Sequence, residues 1–300
     1  MTELPTFSLA MRALEIHLAF ASGVALAAWA ITASPRVSAT AKYWIWVATS
    51  INFVLPVGVF VDRVRPPDVS WVMPLEDFGN TIARKGWLGA ALAAVWAAGF
   101  VFMLARLAWR VRAGRRADHG TPAVVGVFRP RISLPSGIER VLNAEELEAV
   151  LLHERTHARR RDNLIRLVHE IGVCAFWFHP LMWLAGSRLS LYRELSCDES
   201  VIRGSRGGEL VSALAKLSNP GETLLLQAGA SAYLADRVAS LALPRRTSPL
   251  ASALQAAIFV LVLLASFVGS ALQANLMHRA ALGEFCSRVP GDLAARPGAK

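Results

Sequence analysis

Residues 153–157 read His-Glu-Arg-Thr-His, a string whose residue types and spacing can do metal chemistry. On a helix, His153 and His157 fall at i and i+4, so both rings leave one face and can hold one ion. Glu154 stands beside them, where it can take a proton from a water on that ion. A catalytic zinc uses three protein ligands and keeps one position open. The third ligand is offered by residues 192–199, Tyr-Arg-Glu-Leu-Ser-Cys-Asp-Glu. Glu194 and Asp198 lie one helical turn apart on a shared face. Glu194 would then ligate the ion, and Asp198 would accept a hydrogen bond from a ligand imidazole. Glu199 and Glu170 are the alternatives to Glu194, and an arginine is the alternative partner for Asp198. The expected cofactor is one Zn²⁺ per chain.

These residues need helices to position them. Asn143 is a good N-cap, and Glu146, three residues on, completes a capping box. Leu147, Val150, Leu151 and Leu152 follow as an apolar stripe at helical spacing. No Gly or Pro occurs between Asn143 and Asn163, so the spacing predicts a helix with His153 and His157 near its middle. Pro180 suits the first turn of the helix that carries Glu194 and Asp198. Ahead of the metal helix, Ala123–Phe128 and Arg131–Leu134 are β-rich runs around Arg129-Pro130 and predict a short strand pair. Such an edge can take an extended substrate by β-addition, or it can be purely structural. Gly204–Gly208 reads as a turn-rich break, Leu217–Gly229 as a loose connection and Tyr233–Leu243 as a short amphipathic helix.

The composition, 54% hydrophobic and 18% charged, is too apolar for an ordinary soluble domain. Four stretches are long enough to cross a bilayer: Ile16–Ala33, Tyr43–Val61, Trp87–Ala105 and Leu254–Ala274. A fifth run, Ile171–Leu184, is broken by His179-Pro180 and reads as a buried or membrane-surface element. Arg106, Arg110, Arg112, Arg115 and Arg116 follow the third span without an acid. Arg36 and Lys42 occupy the first loop, and Arg245 and Arg246 precede the last span. The positive-inside rule then puts the N-terminus outside and residues 106–250 in the cytoplasm. The expected division is a three-span bundle at 1–105, a cytoplasmic block at 106–250, a closing span at 251–275 and an outer tail at 276–300. The net charge of +10 is accounted for by these loops, so direct nucleic-acid binding is not expected. The arginines at 159–161 read as a solvated or headgroup-facing run. His169 and His179 read as structural, though they, Tyr192 and several arginines are the available oxyanion donors. Three cysteines make no disulfide framework: Cys174 and Cys197 read as buried thiols, and Cys286 falls in the outer tail.

Several of these motifs together resemble a known family. Gly126-Val127-Phe128-Arg129-Pro130-Arg131-Ile132, the run from Leu147 through His157, Arg161-Asp162-Asn163, Trp177–Trp183 and Arg193–Glu199 are similar to the BlaR/MecR-type integral-membrane zinc metallopeptidases. The Glu194/Asp198 pattern after H-E-x-x-H is gluzincin-like. The resemblance implies a mainly α integral membrane protein, with four transmembrane helices and a cytoplasmic helical zinc-metallopeptidase domain bearing a short β-hairpin. It also implies an endopeptidase acting in signal transduction on a cytosolic or membrane-proximal protein, such as a winged-helix repressor of the BlaI/MecI type. Characterised members carry an outer penicillin-binding sensor after the fourth span. The residues after 275 are too few for such a domain, so the sensor is expected to be absent here. The alternative function is a catalytically silent membrane signalling or scaffold protein that retains a zinc site. The expected partners are the bilayer and a protein substrate, and an oligomer is compatible with both.

The arginine bias gives the first test. Reporter fusions at Gly120 and at the C-terminus should report opposite sides of the membrane. Both on one side would remove the fourth span or change the span count.

Overall fold

A computed structural model describes residues 4–55, 86–116, 121–217, 237, 241 and 247–288. The chain is mainly helical. Helix α1 (Leu4–Thr32) and α2 (Ala39–Val54) are followed by α3 (Gly86–Arg116). A hairpin of β1 (Ala123–Val125) and β2 (Arg131–Ser133) leads into α4 (Ala144–Arg160). Then come α5 (Asp162–Ala175), α6 (Pro180–Arg203), α7 (Gly207–Leu217) and α8 (Pro249–Arg288). The expected loop before α3, the connection after Leu217 and most of the Tyr233–Leu243 segment lie outside the described residues, as do the side chain of Cys286 and residues 289–300.

Among the described residues, three helical segments are long and apolar enough to cross a membrane: Leu14–Thr32, Trp87–Ala113 and Pro249–Ser270. Their outer faces expose Trp87, Phe102, Leu254 and Leu261 among others, as lipid-facing helices do. The expected second span behaves differently in its described part. Helix α2 has 16 residues, about 24 Å at a helical rise. Tyr43, Trp46 and Phe53 on it are fully buried by protein. Trp46 packs with Val24 and Ala28 of α1, Ala185 and Leu189 of α6 and Phe259 of α8. Phe53 joins Ala21, Met103, Val173 and Met182, which knits α1, α3, α5 and α6 together. Helix α2 is therefore the central post around which the other helices gather.

A separate core belongs to the metal helix. Ala149 and Val150 of α4 pack with Ile138, Leu142, Val201, Leu210 and Ala213. The expected capping box forms in full: Glu146 N donates to Asn143 Oδ1 at 2.8 Å, and Asn143 N donates to Glu146 Oε2 at 2.9 Å. Glu146 also accepts from Lys216 Nζ at 2.7 Å and Ser212 Oγ at 2.6 Å, clamping α7 to the start of α4.

The hairpin pairs Val124 with Ile132 in antiparallel register, with strands shorter than the β-rich runs suggest. Gly126 follows β1 at φ +89, and a Cβ there would stand 2.6 Å from Arg129 O, so the tight turn needs glycine. Asn163 Nδ2 donates to Val124 O at 2.8 Å and Gly126 O at 3.0 Å, anchoring the hairpin to the start of α5.

The hydrogen bonds from Lys216, Ser212 and the Asn143 amide lower the Glu146 carboxyl from 4.5 to about 2. A carboxyl lowered on folding adds stability above its unfolded value, and that contribution is lost as pH falls through the folded one. Thermal unfolding of purified protein should therefore show a loss of stability from about pH 5 downwards that is smaller in Glu146→Gln. Identical pH profiles for the two proteins would contradict this.

Candidate metal centre

The metal helix ends earlier than its residue pattern suggests. Arg161 adopts the left-handed conformation, φ 56, although it is not glycine. The break puts His157 in the last turn of α4 rather than near the middle of a longer helix. It also turns Asp162 back beneath His157. Asp162 Oδ2 lies 2.6 Å from His157 Nδ1. A carboxylate at Nδ1 holds the proton on that nitrogen and leaves Nε2 as a lone pair. His153 Nδ1 likewise faces a carboxylate, 3.0 Å from Asp198 Oδ1, without the aligned hydrogen bond that His157 makes. Asp198 is fully buried and also takes Arg237, whose Nε and Nη2 both donate at 2.9 Å. The imidazole and the arginine, expected as alternatives for Asp198, are both its partners.

The two free nitrogens then face each other. His153 Nε2 and His157 Nε2 are 3.1 Å apart, and Glu194 Oε2 lies 3.5 Å from the first and 3.7 Å from the second. Three atoms that can each offer a lone pair to a cation thus converge. Zinc–nitrogen bonds of about 2.0–2.1 Å at tetrahedral angles place ligand atoms about 3.3 Å apart, so the triangle fits a cation of that size. Arg193 Nε and Nη2 donate to Glu194 Oε1 at 3.0 and 2.8 Å, which leaves Oε2 turned to the histidines.

The protonation energetics express the same need for positive charge. Burial pushes His157 down, but the Asp162 contact, then Cys197 and Glu194, carry it up to about 11. Burial likewise opposes charge on His153, yet Asp198 and Glu194 raise it. Burial disfavours the Glu194 carboxylate, but the two histidines and Arg193 hold it well below its usual range. Glu154 goes the other way: burial raises it. Among the described residues no side chain donates a hydrogen bond to Glu154, so its oxygens stay available.

Cys197 also comes within reach. His153, His157 and Cys197 place ligand atoms within 4.8 Å of one another. However, the Cys197 sulfur approaches His157 at Nδ1, at 3.5 Å, the nitrogen already facing Asp162. Arg160 Nη2 also donates to that sulfur at 3.0 Å. The donor set facing both Nε2 atoms is the Glu194 carboxylate.

The other expectations resolve by position. Glu199 accepts from the Thr40 hydroxyl and amide at the start of α2, and Glu170 pairs with Arg110, so neither alternative ligand is at the triangle. Tyr192 donates to Thr32 O, His169 contacts Ser50, and His179 contacts Ser22. Arg160 departs from a solvated run: it turns inward to Asp162, Ser196 and Cys197 and stacks 4.3 Å over the Tyr43 ring. Cys174 and Cys197 are buried free thiols, as expected. Sequence reasoning missed Asp162 and Arg237 as site residues, although Asp162 stands in the quoted Arg161-Asp162-Asn163 run.

Residues 114–241 match the family model described as BlaR1 peptidase M56. This region of the chain is thus similar to the BlaR/MecR-type peptidases. The chain is 30% identical over 159 residues to the regulatory protein BlaR1 of Bacillus licheniformis, covering 50% of this chain and 26% of that protein. It is 27% identical over 82 residues to the methicillin resistance mecR1 proteins of Staphylococcus aureus and Staphylococcus epidermidis, covering 27% of this chain and 14% of each. The chain thus spans about a quarter or less of these BlaR/MecR-type relatives. No solved structure matches it.

Asp162 is buried among His157, Tyr43 and Arg160, so the site and the bundle should fail together when it is lost. Asp162→Ala should cost about 3–5 kcal/mol of stability, the usual penalty for breaking a buried charged network. Tyr43→Phe, which removes one neutral donor, should cost about 1 kcal/mol. Thermal unfolding in detergent checks both, and a smaller loss in Asp162→Ala than in Tyr43→Phe would contradict this network.

Proposed function

We propose that the chain is a membrane-embedded zinc endopeptidase. The observation that carries this reading is the triangle of His153 Nε2, His157 Nε2 and Glu194 Oε2, three acceptors converging beside an uncommitted carboxylate. His153, His157 and Glu194 would hold one Zn²⁺. Bound there, zinc supplies a Lewis acid that polarises a scissile carbonyl and acidifies water. Glu154 accepts the proton of the attacking water and returns it to the leaving amine; burial raises its carboxyl, which brings it nearer the value a general base needs at neutral pH. Asp162 and Asp198 hold the ligand imidazoles in the tautomer that presents Nε2. Arg237 Nη1 stands 3.7 Å from Glu194 Oε2, and this guanidinium is the donor we assign to the oxyanion that forms on the substrate carbonyl.

The substrate we propose is a cytosolic or membrane-proximal protein, with cleavage serving signal transduction by inactivating a transcriptional repressor. The names of the relatives, a regulatory protein and methicillin resistance proteins, support a regulatory output. The closing topology is four spans, with the N-terminus outside and the peptidase block in the cytoplasm, as the arginine distribution favours. Contacts tie the ends of the helices to that block: Ser248 N donates to Arg36 O and Arg110 pairs with Glu170.

Substitutions separate the roles. Glu154→Gln keeps size and helix geometry but cannot accept a proton, so it should retain zinc and lose about 10²–10⁴-fold in peptidase activity. Glu194→Gln should lose most of the zinc, while Cys197→Ser should keep it. Asp198→Ala should fall between, with about 10–100-fold weaker metal binding or activity. Metal analysis of each variant with a peptide-cleavage assay checks the order; full zinc in Glu194→Gln and none in Cys197→Ser would move the third ligand to the thiol.

A further inference from the structure

A cavity of about 390 Å³ opens between α2, α3, α5 and α6, beside the metal centre. Four guanidinium groups line it: Arg106 and Arg110 from α3, Arg166 from α5 and Arg193 from α6. Only two carboxylates, Asp162 and Glu170, face them. Asp162 is committed to His157, Tyr43 and Arg160. Glu170 is shared by Arg110 at 3.3 Å and Arg166 at 3.9 Å. Arg106 makes no ion pair among the described residues. Cations therefore outnumber anions in a concave site. Partial burial and the nearby Arg193 lower the Arg166 guanidinium, which agrees with that excess.

The position along α3 identifies what can reach the cavity. Nineteen helical steps from Trp87 to Arg106 span about 28 Å, close to the thickness of a bilayer's hydrocarbon core. Trp87 and Arg106 then mark its two faces. Trp109, one turn beyond Arg106 at most, and Trp183 on the cavity wall are both exposed, as tryptophans at the headgroup level are. The exposed Val101, Phe102 and Leu104 below offer an apolar surface for acyl chains. We infer that the cavity binds a phosphate group at headgroup depth, supplied by an anionic phospholipid. Guanidinium forks suit phosphate oxygens, which accept paired N–H donors. The inference stands independently of the metal reading, because Arg106, Arg110 and Arg166, which carry it, make no hydrogen bond or ion pair with the three proposed ligands among the described residues.

The test uses the full chain in detergent, titrated with phosphatidylglycerol or phosphatidylcholine and followed by native mass spectrometry. Phosphatidylglycerol should be retained at least about tenfold more tightly, and Arg106→Gln with Arg166→Gln should remove that preference. Arg193 is left intact because it also holds Glu194. The exposed pair Arg112→Gln and Arg129→Gln, outside the cavity, should leave the preference unchanged. Arg106→Gln alone, an exposed residue without an ion pair, should weaken binding even if the double variant folds poorly. Inorganic phosphate enters as a competitor: failure to displace the lipid assigns the site to the headgroup, whereas displacement at equal concentration overturns the lipid as source and assigns the free anion. Equal retention by wild type and both cavity variants, or equal loss in the control pair, would overturn the site itself.

Discussion

Asp162 is the point on which the site and the fold both depend. Its buried carboxylate takes His157 Nδ1 and Arg160 Nη2 at 2.6 Å and the Tyr43 hydroxyl at 2.7 Å. Three elements meet there: the metal helix, the helix after it and the central post α2. A buried carboxylate is tolerable only with such partners, since an unpaired one costs several kcal/mol. The left-handed Arg161 is what makes the meeting possible, because a continued helix would carry Asp162 away from His157. A bulky residue in that conformation is strained, and the network around Asp162 over-determines it. The same carboxylate that fixes the His157 tautomer thus fastens α4 and α5 to α2.

The charge pattern around the metal centre extends this logic outward. Each acidic group that orients a histidine, or faces the triangle, is backed by an arginine: Arg160 behind Asp162, Arg237 behind Asp198, Arg193 behind Glu194. The backing keeps the carboxylates ionised in a buried place. Glu154 stands outside the pattern: among the described residues, no guanidinium donates a hydrogen bond to it. That difference is what the proposed proton-transfer role of Glu154 would need.

What could be read in the sequence was local. The capping box at Asn143 and Glu146, the i, i+4 histidines, Pro180 at a helix start and the Glu194/Asp198 turn each depend on a few neighbouring residues, and each forms. Asp162 escaped because its role rests on a spacing of five, which no regular helix face supports, and on a turn without glycine. Arg237 escaped because it reaches Asp198 from 39 residues away. Helix α2 is packed by protein in its described part, and the apolar pattern alone does not separate that burial from burial in lipid, because both select the same residues. Its buried Thr49, Ser50 and Asn52 are what a protein-packed helix can satisfy more readily.

The central claim is that two histidine Nε2 atoms and one carboxylate oxygen define the metal site. X-ray absorption at the zinc edge on the purified full chain tests it most directly. The account predicts a first coordination sphere of nitrogen and oxygen only, at about 2.0–2.2 Å, with imidazole scattering from two rings. A sulfur neighbour at about 2.3 Å would place Cys197 on the metal and contradict the account.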